Sequence, residues 1–221
     1  MGYSWDFSIL LNYVPLLVSG VLVTLVFTFG TIALGLLIGL AIGMARLSPL
    51  RVVTMPVTLL TEVFRCTPPL VQLVWFYYAL PVLLDVQVPA TVAATIVLSC
   101  YVGAFYAEIF RGGIVSIEEG QWEAARALGL RFWPMMRKVI LPQAVRRMVP
   151  PFMNQSVIQL KTTSLVSTIA VPDLLYNGSL ITAETYRPLE VYTVVAVVYF
   201  ALLFPATRGV QWFEVRLARG R

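Results

Sequence analysis

Long apolar runs alternate with short charged stretches along the whole chain. The first run covers residues 15–44 and contains no charged side chain. It exceeds the roughly 20 residues that a helix needs to cross a bilayer. Tilt, or an interfacial start near Pro15, absorbs the excess. A second run covers 54–80 and is interrupted by "TEVFRCTPPLVQL", where Pro68 and Pro69 should break or kink the helix. A third covers 88–110 and ends in "AFYAEIFRGG". The fourth, 149–171, reads "VPPFMNQSVIQLKTTSLVSTIAV" and is unusually polar. The fifth covers 191–213. This pattern predicts an all-α membrane protein with five transmembrane helices in one domain, residues 1–221. Gly30, Gly35, Gly39 and Gly43 recur every four or five residues in the first run, a spacing that lets helices pack closely.

Composition agrees. The chain is 59% hydrophobic and 12% charged, against about a quarter charged in soluble domains. Its mean hydropathy is +0.83. The net charge of +5 would raise the question of nucleic acid in a soluble domain. Here the basic residues lie between apolar runs, so they report topology instead. Of the 16 Lys and Arg, 13 fall after the first run, between the third and fourth, or at the C-terminal end. These 13 include Arg46, Arg51, Arg111, Arg147, Arg208, Arg216, Arg219 and Arg221. The opposite side carries Arg187 against Asp6, Asp85, Asp173, Glu184 and Glu190. The positive-inside rule then places the N-terminus outside and the C-terminus in the cytoplasm. The opening "MGYSWDFSILLNY" lacks a basic residue, so no cleavable signal peptide is expected.

The largest loop on the basic side, residues 111–147, contains "EGQWEAARALGLRFWPMMRKVILP". Ser116 and Glu119 have capping-box spacing. Trp122, Ala125 and Gly129 share a helical face, and Glu123 and Arg126 are spaced for an i, i+3 pair. Gly129 suits a left-handed cap. A second helix is expected from Pro134, to be kinked or ended by Pro142. Two readings fit these residues. One is an amphipathic helix on the lipid surface. The other is a narrow knob that inserts into a cytoplasmic partner.

Polar groups within the runs mark the second point of interest. Lys161 lies among Asn154, Gln155, Gln159, Thr162, Thr163 and Ser164. Two stripes emerge: Asn154, Ile158, Lys161 and Leu165, and beside them Gln155, Gln159 and Thr162. They line a translocation path or bond neighbouring helices together. Lys161 has a substrate carboxylate, Glu62 or Glu108 as candidate partners. Glu62 and Arg65 are spaced for a structural ion pair. Glu108 is expected to pair with Arg111 or the loop. Pro68 and Pro69 free backbone groups at membrane depth, beside which Gln72 could serve a cavity. Cys66 and Cys100 read as packing residues, not a disulfide. The chain has no histidine, no phosphate-binding G-x-x-x-x-G-K-[ST] loop and no G-x-S-x-G elbow. Metal-dependent and triad-type enzymes, and direct ATP binding by that loop, are disfavoured.

The loop closes the reading. "EAARALG", nine residues, then "VILP" resembles the EAA loop of ABC importer permeases. The match carries Glu123, Ala124, Ala125, Gly129, Val139, Leu141 and Pro142, with Val139 in place of the usual Ile. "EVFRCTPPLVQL", "YAEIFRGGIVSIEEGQ", "PPFMNQSVIQLKTTSLVS" and "PLEVYT" are similar to segments of the polar amino acid (His/Glu/Gln/Arg/opine) permeases. The resemblance spans about Val14 to Phe213. It implies a type I, MetI-like permease in the bacterial inner membrane, working as a pair with an identical or homologous permease. It further implies two cytoplasmic ABC ATPases that bind ATP and Mg, an external solute-binding protein and an amino acid substrate. No cofactor is implied for this chain itself. Three departures stand out: Cys66 where Gly is usual, Thr162 where Asp is common, and Gln155 where some relatives have Glu. If these positions face the substrate, the pocket has fewer carboxylates, which favours a neutral or acidic polar amino acid. The alternatives are an ATP-independent secondary transporter or channel, an exporter-type membrane subunit, and an intramembrane enzyme.

Overall fold

The structure is a computed structural model that describes residues 3–218. Arg219 and Arg221, two of the residues used for topology, lie outside the described residues. A short 3₁₀ segment, Ser8–Tyr13, leads into α1 (Val14–Arg46). Then follow α2 (Arg51–Cys66), α3 (Pro69–Val74), α4 (Leu80–Leu84) and α5 (Ala90–Val115). The basic loop forms α6 (Glu119–Ala127) and α7 (Phe132–Met135). The chain continues through α8 (Leu141–Thr162), a 3₁₀ run Thr163–Ile169, α9 (Leu174–Thr185) and α10 (Pro188–Ala218).

Among the described residues, three helices are long and apolar enough to cross a membrane: Ser8–Arg46, Ala90–Val115 and Pro188–Arg216. The pair Arg51–Cys66 and Pro69–Leu84 would be a fourth, but it is bent by 105°. α8 does not reach the same apolarity, because Arg146, Arg147, Asn154, Gln155, Gln159 and Lys161 all lie within it.

α1 shows how this chain inverts the soluble rule. Its buried stripe is Leu17, Gly20, Thr24, Thr28, Thr31, Gly35, Gly39 and Gly43, while Leu22, Val26, Phe29 and Leu37 are exposed. Small and hydroxyl residues face protein, and bulky apolar ones face outward, because lipid is as apolar as leucine. Gly35, Gly39 and Gly43 lie against α5. A Cβ on Gly39 would sit 2.6 Å from Tyr106 Cβ and 2.9 Å from the Gly103 carbonyl oxygen. Gly30 stands apart from this contact, contrary to the four-glycine expectation: nothing lies within 4 Å of where its Cβ would be. It falls five residues before Gly35, off the four-residue row. Gly20 takes part instead, against Leu174 and Asn177 of α9.

α5 is the central helix. Over half of its apolar window is buried (56%), against 22% for α1 and 17% for α10. A middle cluster joins Leu73, Val97, Leu98, Val166 and Ile169. A second joins Leu10, Leu17, Leu174, Ile181 and Val191 near the N-terminal end of α1. At that end the leading segment is tied down by a buried Glu190. It accepts from the Tyr3 hydroxyl, from the Asp6 N–H (3.1 Å) and from Arg187 (2.9 Å). Asp6 accepts from the hydroxyl and N–H of Ser8, which holds its carboxyl below the usual carboxylate range.

The close α1–α5 approach yields a test. Gly39→Ala should lower stability in detergent by about 1–3 kcal/mol through overpacking. Gly30→Ala should leave the thermal midpoint unchanged or slightly raised, since its position is open.

Candidate functional site

Two regions carry the residues singled out by sequence: the basic loop and the polar faces near the helix break and along α8.

In the loop, α6 begins at Glu119, but the expected capping box is not formed. Ser116 Oγ donates to the Gly113 carbonyl at 2.8 Å, and no side chain caps α6. The preceding helix turn captures the hydroxyl before the next helix can use it. α6 ends as expected in a left-handed residue, Gly129, with φ +70°. The N–H of Leu130 bonds the Ala125 carbonyl at 3.1 Å and that of Gly129 bonds Arg126 at 2.9 Å. The next helix starts at Phe132, two residues before the expected Pro134. Pro134 then occupies its first turn, where a missing N–H costs nothing. Pro142 neither ends nor kinks the chain into a new element. A single π turn, Met136–Ile140, precedes α8, with the Leu141 N–H bonded to the Met136 carbonyl. The wider turn accommodates a proline ring that would otherwise meet the carbonyl four residues back. Trp75–Ala79 makes the same turn before Pro81.

The seven motif positions divide by face. Ala125 is buried and Val139 packs beside it, in a cluster with Ile117, Met135, Ile140, Ala144 and Met148. Glu123, Ala124, Gly129, Leu141 and Pro142 are exposed. Glu123 and Arg126 form no ion pair among the described residues. Gln143 bridges back to Gln121 at 3.1 Å. The loop is therefore anchored on one face and open on the other, where Leu128, Phe132 and Trp133 are also exposed.

The ionic residues meet near the C-terminal end of α1. Glu62 pairs with Arg65 at 2.7 Å, as its spacing predicts. Glu108 accepts from Arg111, also as predicted, and from Arg46 at 2.6 Å, with Arg65 at 3.9 Å. Arg46 was invisible as a partner because 62 positions separate it from Glu108. One carboxylate thus ties the ends of α1, α2 and α5. Lys161 pairs with neither Glu62 nor Glu108. Arginines occupy both carboxylates.

Gln72 is explained by the break at Pro68–Pro69. Its Nε2 donates to the Phe64 and Thr67 carbonyls, both at 2.9 Å. These are carbonyls that the interrupted helix leaves without N–H partners. Cys66 is exposed at the break, not packed as expected, and Cys100 is half-buried; both are free thiols. The bend turns Cys66 outward at the last residue of α2.

Along α8 the polar residues separate by face. Gln155, Gln159 and Thr163 are buried. Gln159 Nε2 donates to Thr31 Oγ1 at 2.9 Å, and the Thr163 and Thr28 hydroxyls are 3.4 Å apart. Tyr106 and Ser156 hydroxyls share a 2.8 Å bond. Thr24, Thr28 and Thr31 were missed in the sequence, although i, i+4, i+7 spacing was their signal. Asn154 and Lys161 face outward; Asn154 donates to Glu214 at 2.8 Å. Ser164 Oγ and Thr162 Oγ1 donate to carbonyls of their own segment, Lys161 and Ile158.

A helical membrane chain that carries a rigid glycine-turned loop at its basic end can be compared with known proteins. Residues 35–219 match the family model "Binding-protein-dependent transport system inner membrane component". The chain belongs to that family. It is 40% identical over 199 residues to the glutamine transport system permease protein GlnP of Escherichia coli, covering 90% of this chain and 91% of that one. It is 32% identical to the arginine transport system permease protein ArtQ of Bacillus subtilis (91% and 92% covered). It is also 32% identical to the Escherichia coli glutamate/aspartate import permease protein GltK (98% and 100% covered). Among solved structures, an amino acid ABC transporter with histidines superposes with a TM-score of 0.91 at 34% identity, covering 97% of this chain and 100% of that chain. The MetNI methionine ABC transporter gives 0.76 at 23% identity, with 93% and 98% covered, and shares the fold. The family member described here is thus an amino acid ABC importer permease of the type I, MetI-like fold, a multi-pass chain consistent with the inner membrane.

Gln72→Leu should destabilise the protein by about 1–3 kcal/mol, because two carbonyls at the break lose their donor. Thermal unfolding in detergent measures this, with Gln72→Glu expected to be equally harmful since a carboxylate donates to neither.

Proposed function

We propose that this chain imports a polar amino acid into the cytoplasm, driven by ATP hydrolysis in two cytoplasmic ATPase subunits. ATP and Mg are bound there, and this chain performs no chemistry. An external solute-binding protein delivers the substrate, and a second permease, identical or homologous, completes the path. The chain crosses the membrane five times, with α8 and the bent pair counted as spans, the N-terminus outside and the C-terminus in the cytoplasm. α8 tolerates its polar content because protein, not lipid, surrounds much of it.

The observation that carries this reading is the two-faced loop. Ala125 and Val139 bolt it to the ends of α5 and α8, while Glu123, Ala124 and Gly129 remain open. A push on the open face therefore moves α8 directly, which suits a coupling element between an ATPase and the helix bearing the path. A lipid-surface helix would instead expose a continuous apolar face and have no need of the rigid left-handed turn. Asn154, Lys161, Thr162 and Ser164 are proposed for the path. Gln155, Gln159, Thr163 and Gln72 support it by holding the helices around it. With Thr162 and Gln155 standing where the resembling permeases carry Asp or Glu, a neutral or acidic amino acid is the better substrate.

Gly129→Asp tests the coupling. Aspartate tolerates the left-handed backbone, and nothing lies within 4 Å of a Cβ there, so the isolated chain should fold and insert normally. Co-purification with the ATPase and ATP-dependent uptake should both be lost. Uptake at the wild-type level, or uptake in the wild type without ATP, would return the reading to a secondary transporter or channel.

A further inference from the structure

A groove of about 230 Å³ lies between α1, α8 and α10, lined by Phe29, Ile32, Val157, Leu160, Ala206 and Val210. Its depth follows from its neighbours. Gln159 bonds Thr31, so the groove lies level with the centre of the uncharged run 15–44. The two hydroxyl residues of its wall are already engaged. Thr28 donates to the Thr24 carbonyl at 2.7 Å, and Ser156 to the Phe152 carbonyl at 2.8 Å. The groove therefore calls for an apolar occupant. At ~30 Å³ for a unit the size of water, it has room for about eight methylene-sized groups. A single hydrocarbon chain fits, whereas a helix, about 10 Å across, does not.

Toward the basic end of the molecule, the same face of α8 finishes in a cation. Arg146, Val149, Met153, Val157 and Leu160 recur every three or four residues, which makes them one stripe. From Leu160 back to Arg146 the helix rises by about 21 Å. Half of a bilayer, headgroups included, is about 20–22 Å. With Leu160 near the centre, Arg146 therefore lies among the lipid phosphates. It is exposed and forms no ion pair among the described residues. It shares a recess of about 260 Å³ with Lys138, Pro142 and Gln143, and no carboxylate lines that recess. The adjacent Arg147 is different, being bonded to the Ser116 carbonyl and close to Glu118. We propose that recess and groove together bind one anionic phospholipid. Its phosphate accepts from Arg146 and Lys138, and one acyl chain follows the stripe into the groove. The tail gives no selectivity, because lipid and wall are equally apolar. The two cations select the headgroup. The assignment depends on the depth of the groove and the charge at its end, whatever drives transport.

Native mass spectrometry tests this on the full chain, released from nanodiscs of equal phosphatidylglycerol and phosphatidylcholine with identical acyl chains. One phosphatidylglycerol per chain should be retained and phosphatidylcholine lost. Lys138→Gln combined with Arg146→Gln should cut that preference by about twentyfold, roughly fivefold for each cation, with the thermal midpoint in detergent unchanged. Ala206→Phe fills the groove and should weaken phosphatidylglycerol retention. Val197→Phe, at an exposed position of the same helix, should not. Inorganic phosphate in excess should leave the lipid in place. Displacement by phosphate would mean a site for free anions and overturn the proposal. Equal retention of the two lipids by the wild type, or an unchanged preference in the double variant, overturns it as well. Crosslinking of two chains through Phe29→Cys, in a Cys66→Ser background and with no lipid retained, would give the groove to a second copy. Loss of ATPase co-purification by the double variant, with its lipid preference intact, would give the two cations to the ATPase instead.

Discussion

The contact between α1 and α5 is the constraint on which the rest of the molecule depends. Inside a bilayer, apolar side chains gain nothing by choosing protein over lipid, so close backbone approach and satisfied polar groups must hold helices together. Gly35, Gly39 and Gly43 permit that approach, and the Val102, Gly103, Tyr106 and Ala107 surface fills it. Further along α1, where the glycines stop, Thr24, Thr28 and Thr31 return their hydroxyl protons to their own helix, Thr31 accepts from Gln159 of α8 and Thr24 accepts from the Leu174 N–H of α9. One helix face therefore positions α5, α8 and α9 together.

Backbone irregularities do the remaining placement. The Pro68–Pro69 break sends α2 one way and α3–α4 another, and Gln72 closes the exposed carbonyls. Two π turns precede Pro81 and Pro142, so the chain carries prolines without losing its direction. The second of these turns lies between the α6–α7 loop and α8. A displacement of α6 and α7 would reach α8 through a continuous helical segment anchored by the buried Met135 and Ile140. The same helix carries Lys161 about six turns further on.

Much of this was legible in the sequence. Apolar run lengths, the basic-loop bias, the left-handed Gly129 and the Glu62–Arg65 pair follow from spacing, because each depends on residues within a few positions. What escaped was long-range or inverted. Arg46 could not be assigned to Glu108, nor Glu190 to Tyr3, because 62 and 187 positions separate the partners. The threonine stripe was overlooked because hydrophobic periodicity searches for apolar residues inside, whereas here the bulky apolar face looks outward. The capping box misled because Ser116 had a nearer acceptor in the helix it ends.

The sequence by itself determined that this is a helical membrane chain with an EAA-like loop, since lipid forces long uncharged runs and the motif is local. Only the tertiary structure decided what each polar residue does. It turned Gln159 and Thr163 inward against α1, and left Lys161 facing a groove with no ion pair among the described residues. Residues 159, 161 and 163 lie within little more than one turn, where α8 passes into the 3₁₀ run. Their chemistry differs only because α1 and α10 approach that turn from different sides.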